Sequence, residues 1–230
     1  MSCSVTLKKL SFKNGEDILC QNIDLNVTHK EKIAIIGPNG CGKTTLLNII
    51  AGLQKQESGS LEIFHNNIKN ENDFKPLRNL MGYLFQNSDN QFLAPVVIDD
   101  VAFSLLSGGM EKKEALLKAK MILQDLDIEH LKDKIVYNLS GGEKKLVALA
   151  GVLVTQPKLM LLDEPTNALD LKMQLKLVEI LKNMDKSIII VSHNREFIDS
   201  IVHSIYEITP NGLKLTATPM KPLEHSHSHD

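Results

Sequence analysis

KIAIIGPNGCGKTTLLNIIAGL (residues 32–53) runs a compact apolar stretch, a glycine-rich loop and a segment of helical spacing directly into one another. The stretch KIAII reads as a buried strand, and TTLLNIIAGL (44–53) as the helix that follows the loop. Between them, GPNGCGKT (37–44) fits the pattern GxxxxGK[ST] in the context that pattern requires. Its glycines let successive backbone N–H groups turn inward, forming a concave anion nest at a helix N-terminus. Lys43 can then reach the outer phosphates of a nucleotide, and the Thr44 hydroxyl is placed to ligate Mg²⁺. The bland alternative is a glycine turn capped by Thr44; strand, loop and helix all in place weigh against it. The candidate nucleotide contacts are Gly37, Pro38, Asn39, Gly40, Cys41, Gly42, Lys43, Thr44 and Thr45. Cys41 occupies a variable loop position with no neighbouring base, which reads as a tolerated small residue rather than a catalytic thiol.

On the N-terminal side, Val5, Leu7 and Leu10, then Ile23, Leu25 and Val27, predict antiparallel strands joined at Asn14-Gly15. On the C-terminal side, SLEIFHNN (60–67) and RNLMGYLFQ (78–86) each read as a strand. From about 91 to 155 the pattern turns helical. EKKEALLKAKMILQDL (111–126) carries apolar residues at 116, 117, 121, 122, 123 and 126, and EKKLVALAGVLV runs from 143 to a stop before Pro157. KLMLLDEP (158–165), MQLKLVEILKNM (173–184) and KSIIIVSH (186–193) then resume strand, helix, strand. This order predicts an α/β fold: a phosphate-loop (P-loop) NTPase with a RecA-like, mainly parallel sheet, an N-terminal antiparallel β subdomain and a helical subdomain inserted at about 91–155. The expected domain spans 1–220, leaving 221–230 as a His-rich flexible tail.

Two acids end the apolar strand LMLL. Asp163 suits water-mediated coordination of Mg²⁺, and Glu164 is suited to activating an attacking water. Alone such a pair reads as a cap or turn; after a phosphate loop in this order it points to phosphoryl transfer. His193 follows a third apolar strand, and ligands gather at the carboxyl ends of such strands. Gln86 ends a fourth, where its amide could sense metal and water, or simply lie at a strand end.

Composition limits the rest. The net charge of −2 gives no electrostatic reason to bind nucleic acid. Three cysteines without CxxC spacing argue against a disulfide framework or structural zinc and suit a reducing compartment. VALAGVLV (147–154) is far too short to span a bilayer, so a membrane role is expected to come through a partner.

Many phosphate-loop proteins share those features. LSGGE (139–143), opening a helix ahead of the strand that carries Asp163, resembles the signature motif of the ABC ATPases. Phosphate loop, Gln86, signature, LLDEPTNALD (161–170) and His193 follow in that family's order over roughly residues 4–215. The resemblance implies ATP and Mg²⁺ as ligands, with Thr44, Gln86 and Asp163 at the metal. It also implies a head-to-tail dimer in which Ser140, Gly141, Gly142 and Glu143 complete the ATP site of a second ABC ATPase subunit, identical or related. Glu164 would be the general base, His193 would contact the γ-phosphate, and Asp170 would couple the two sites.

GYLFQNSDNQF (82–92), DDVAF (99–103) and GGEKKLVALAGVL (141–153) are similar to the cobalt/nickel and energy-coupling-factor importer ATPases. In those, proline is usual at Ser88, glutamine at Glu143, arginine at Leu146, and an adenine-stacking aromatic at Asn14. The resemblance implies an integral membrane partner docking near Gln86–Phe92, a peripheral location on the cytoplasmic face, and import of cobalt, nickel or a vitamin. HSHSHD (225–230) could hold such ions loosely, or be the remnant of a purification tag. A soluble ABC-type ATPase that remodels a macromolecular complex stands as the alternative.

Overall fold

The computed structural model describes residues 3–15 and 17–219, the side chains of Asn14 and Asp17 excepted. The His-rich tail and the Asn14 side chain therefore lie outside the described residues. Two sheets form. The first has strand order β2-β1-β4-β5, from β1 (Cys3–Asn14), β2 (Asp17–Thr28), β4 (Ser58–Ile63) and β5 (Asn66–Ile68), and its pairings are antiparallel.

The buried residues of β1 change parity between Leu7 and Leu10, as those of β2 do between Cys20 and Ile23. Lys9 and Asn22, at φ 47° and 53°, absorb the extra residue in each strand as matching irregularities. SLEIFHNN is two strands rather than one: Phe64 and His65 both take positive φ and close a tight hairpin with Ile63 opposite Asn66. The alternation of side chains gave no sign of that turn, because neither residue is a turn former.

The second sheet has order β10-β9-β3-β8-β7-β6. Its members are β3 (Lys32–Ile36), β6 (Met81–Leu84), β7 (Leu159–Asp163), β8 (Ser187–Val191), β9 (Ser204–Thr209) and β10 (Gly212–Ala217). Pairings from β9 to β6 are parallel, and β10 is an antiparallel edge. Both faces are covered, which is why these strands read as unbroken apolar runs. Ala34, Met160, Leu162, Ile188 and Ile190 face the helical core, while Ile33, Ile35, Leu161, Ile189 and Val191 face a core shared with the antiparallel sheet. The RNLMGYLFQ strand is shorter than its pattern. Arg78–Leu80 forms a 3₁₀ turn, and Gln86 lies two residues past the end of β6.

Seven helices complete the described residues: α1 (Lys43–Ala51), α2 (Glu71–Phe74), α3 (Val97–Ser107), α4 (Lys112–Asp125), α5 (Gly141–Leu153), α6 (Leu171–Asn183) and α7 (Arg195–Asp199). The buried stripe of α4 is Ala115, Ala119 and Leu123, whereas Leu117 and Met121 are 59% and 54% exposed. Of the large apolar residues in the pattern, Leu123 and Leu126 are buried, and Leu116 and Ile122 pack against the core. Small alanines mark the contact face because they let α4 approach its neighbours closely.

Candidate functional site

The phosphate loop leaves β3 and enters α1 through Gly42, whose φ of 98° only glycine adopts without strain. A Cβ there would lie 2.6 Å from Cε2 of Phe12, so the loop rests on the β1 core with no room between. Phe12 is itself core, at 1% exposure. Cys41 packs at the edge of the same cluster. The Lys43 ammonium donates to the carbonyls of Gly37 (2.8 Å) and Pro38 (2.9 Å), folding over its own loop where terminal phosphates would lie.

An open cleft of about 360 Å³ gathers Asn39, Gly40, Gly42, Lys43, Thr44 and Thr45 of the loop together with Gln86, Asp163, Glu164 and His193, whereas Gly37, Pro38 and Cys41 do not line it. The parallel register explains the meeting: Asp163 ends β7 opposite Val191 of β8, so three strand ends open beside the loop. The Thr44 hydroxyl donates to Asp163 Oδ2 at 2.7 Å. Asp163 is 1% exposed and its Oδ1 has no partner, the single buried polar side-chain atom in that state among the described residues. Burial pushes its carboxyl pKa up, against the pull of Thr44, Lys145 and Lys43. An unpaired, buried carboxylate oxygen beside a hydroxyl is a donor set that suits a hard cation such as Mg²⁺ or its water shell. Such a cation neutralises charge on the phosphates. Thr44, Asp163 and the neighbouring Gln86 would hold it.

Glu164 sits in the left-handed region at φ 46°, a conformation that costs a non-glycine residue about 1–3 kcal/mol. Its amide donates to the Val191 carbonyl at 2.8 Å, which pins the turn. The carboxylate accepts from the His193 backbone N–H at 3.3 Å and stands 3.3 Å from His193 Nε2. Glu164 is thus aimed into the cleft and oriented from two sides, while the imidazole remains 53% exposed. A base held this way can take a proton from water lying over the phosphate end.

The signature residues do not line this cleft. Ser140 caps α5 in a capping box with Glu143: the Ser140 hydroxyl and amide each donate to Glu143 Oε2 at 2.8 Å. Those hydrogen bonds hold the Glu143 carboxyl below its usual range. A Cβ on Gly142 would come within 2.9 Å of the Ala168 carbonyl, so the signature packs against the loop after Glu164. Asp170 caps α6, accepting from the Met173 amide at 2.8 Å.

Sequence reasoning missed Lys145. It is 3% exposed, and its ammonium donates to the carbonyls of Phe85 (3.0 Å) and Gln86 (2.8 Å). Burial lowers its pKa, opposed by Asp163 and Glu164. Gln91 adds a second tie, donating to the Ala148 carbonyl at 2.9 Å. The spacing held a signal: Ala148, Leu149 and Val152 follow Lys145 at three, four and seven residues, which puts the lysine on the buried face. Leu146, where the resemblance would have arginine, is core at 5% exposure.

Known proteins resemble the chain along nearly its whole length. A protein of Brucella suis biovar 1 named for an ABC transporter ATP-binding role is 43% identical over 216 residues, 94% of this chain and 87% of that one. A solved structure of cbiO1 from Clostridium perfringens, part of the ABC transporter complex cbiONQ, superposes with a TM-score of 0.83 at 31% identity, covering 95% of this chain and 90% of that one. A dimeric ATP-binding cassette, MJ0796, bound to ADP and Pi superposes at 0.85 with 28% identity, covering 94% and 99%. A family model described as ABC transporter matches residues 20–167, from the strand beside the phosphate loop to the turn beyond Glu164. The chain belongs to the ABC transporter family as one of its ATP-binding, ATP-hydrolysing subunits.

Proposed function

We propose that this chain energises an importer of the energy-coupling-factor kind from the cytoplasmic face of a membrane, pairing head to tail with a second ABC ATPase subunit. Among the described residues no helix is long and apolar enough to cross a membrane, so a separate integral subunit is assigned that task. Glu164 is the general base, His193 contacts the terminal phosphate, and Thr44, Gln86 and Asp163 serve Mg²⁺. Ser140 to Glu143 meet the partner's ATP, and Asp170 carries the signal between sites. For a phosphate to take the α5 N-terminus, the Glu143 carboxylate must first swing off Ser140, since two anions would compete for the same donors. Cobalt, nickel or a vitamin is the proposed cargo, on the motifs at 82–92, 99–103 and 141–153. The cbiO1 likeness supports the same assignment.

The observation that carries the membrane partner is the link between two cavities. A groove of about 750 Å³ lies between β6, Gln91, the C-terminal end of α3 and Gly151–Val152 of α5. Gly151 leaves open space on its floor. Lys145 and Gln91 fasten the Phe85–Gln91 segment to α5; Gln91 at one end of it lines this groove, while Gln86 reaches the catalytic cleft. A helix seated in the groove would therefore bear on the residues around the phosphate end.

The test is to purify the Glu164→Gln chain with ATP from native membranes and identify its companions by mass spectrometry. A polytopic membrane protein with a substrate-capturing subunit is expected. Recovery of soluble companions alone would overturn the importer reading in favour of a remodelling ATPase.

A further inference from the structure

The catalytic cleft has a polar end and an apolar end. Gln86, Asp163, Glu164 and His193 fix where the terminal phosphate lies, so the rest of the nucleotide leaves past Gly42 toward Leu19. Leu19 is the apolar side chain there, and its Cβ would stand 3.5 Å from a Cβ on Gly42. Among the described residues no aromatic ring lines the cleft, and Phe12 is buried beneath the loop. A base resting on Leu19 keeps its other face in water.

An aromatic ring does stand free beside the signature. Tyr137, in the 3₁₀ turn Val136–Asn138, is 88% exposed, more than any other large apolar side chain among the described residues. It is not loose. The Lys144 ammonium lies 5.4 Å from the ring centroid, and Lys144 is held by Asp89 at 2.7 Å. A ring backed by a cation on one side and open on the other is a stacking platform without a stack.

We infer that Tyr137 of one subunit covers the base of the ATP bound in the phosphate loop of a second copy, supplying in trans the aromatic face that the cleft lacks. This rests on the head-to-tail pairing proposed above. In that pairing the α5 N-terminus meets the partner's terminal phosphate, and Ser140 is its cap. Three residues separate Tyr137 from that cap, at most about 10 Å of chain. With the length of its own side chain, Tyr137 reaches past the ribose to the base. Leu19 and Tyr137 then close on opposite faces of one purine, and neither subunit makes the sandwich alone. ATP becomes the glue at both of its ends.

The chain contains no tryptophan, so Tyr137→Trp installs a single reporter. Placed in a Glu164→Gln background, it is titrated with Mg-ATP while the dimer is followed separately by size-exclusion chromatography with light scattering. Indole emission is expected to change with the same midpoint as dimer formation, and ADP, which lacks the terminal phosphate that the signature would hold, should change neither. Tyr137→Ala in the same background should raise the ATP concentration for half-dimerisation about tenfold, in line with the loss of one base–aromatic stack. ADP binding by the monomer should be unaltered, and Tyr137→Trp should keep the wild-type midpoint. A dimer that forms while the emission stays flat and Tyr137→Ala has no effect overturns the stacking contact alone. A chain that stays monomeric in saturating ATP overturns the pairing, and the contact with it.

Discussion

Lys145 is one of the side chains that tie α5 to the segment from Phe85 to Gln91, and Lys145→Met tests what that tie does. The methionine keeps most of the volume and removes the ammonium that donates to the Phe85 and Gln86 carbonyls at 3.0 and 2.8 Å. Both bonds are part-buried, so the lower end of the penalty for an orphaned acceptor applies, about 1 kcal/mol each. Relief of the lysine's own desolvation offsets part of this, leaving a net loss of about 1–2 kcal/mol. In a chain of this size that lowers the melting temperature by about 2–8 °C. The functional loss should be larger than the stability loss. Gln86 shares the cleft with Asp163 and Glu164, and a displacement of about 1 Å at a reacting centre can cost up to 10²-fold. We expect kcat for ATP to fall at least about tenfold with KM nearly unchanged, because Lys43 and the loop proposed to bind the phosphates are not touched. Calorimetry and steady-state ATPase assays read both effects. Wild-type melting and turnover in Lys145→Met would refute the reasoning, and a rise in KM alone would show that Lys145 serves binding rather than placement of Gln86.

Two further predictions follow from single contacts. Burial raises the folded-state pKa of Asp163 above its unfolded value of 3.8, so its favourable contribution is complete below that value and is lost as pH climbs through the folded pKa. Without nucleotide, Asp163→Asn should therefore melt a few degrees above wild type near neutral pH, with the gap closing toward pH 3.8, while ATPase activity is lost; a lower melting point at neutral pH would contradict this. Gly59 holds φ +87° where a Cβ would lie 2.3 Å from the Lys9 carbonyl oxygen and 2.5 Å from Leu10 Cα. Gly59→Ala should cost at least about 2 kcal/mol in urea unfolding, since both neighbours are backbone at the β1 irregularity, and an unchanged midpoint would rule out that close approach.

The parallel sheet and the phosphate end of the candidate site can be read from the residues alone. Those rest on short-range patterns: KIAII, LMLL and SIIIV are apolar on both faces, and the loop between β3 and α1 has one geometry that its glycines permit. Asp163, Glu164 and His193 were legible because each stands at, or within two residues of, the end of such a strand, and strand ends in a parallel sheet open on one side. Features that depend on contacts between distant segments emerge only in the folded chain. The hairpin at Phe64-His65 forms because pairing of β4 with β1 fixes the strand's end, overriding residues that favour extension. The alanine face of α4 emerges only when α3 and α5 are packed against it. Lys145 sits 59 residues from Gln86 in the chain, and its role exists only once α5 lies beside the loop that leaves β6. The Ser140–Glu143 capping box is the opposite case: it lies within one turn, and S-x-x-E at the start of α5 spells it in the sequence. Local propensity and periodicity are written residue by residue, whereas a hydrogen bond across the chain is chosen by the packing of everything between its ends.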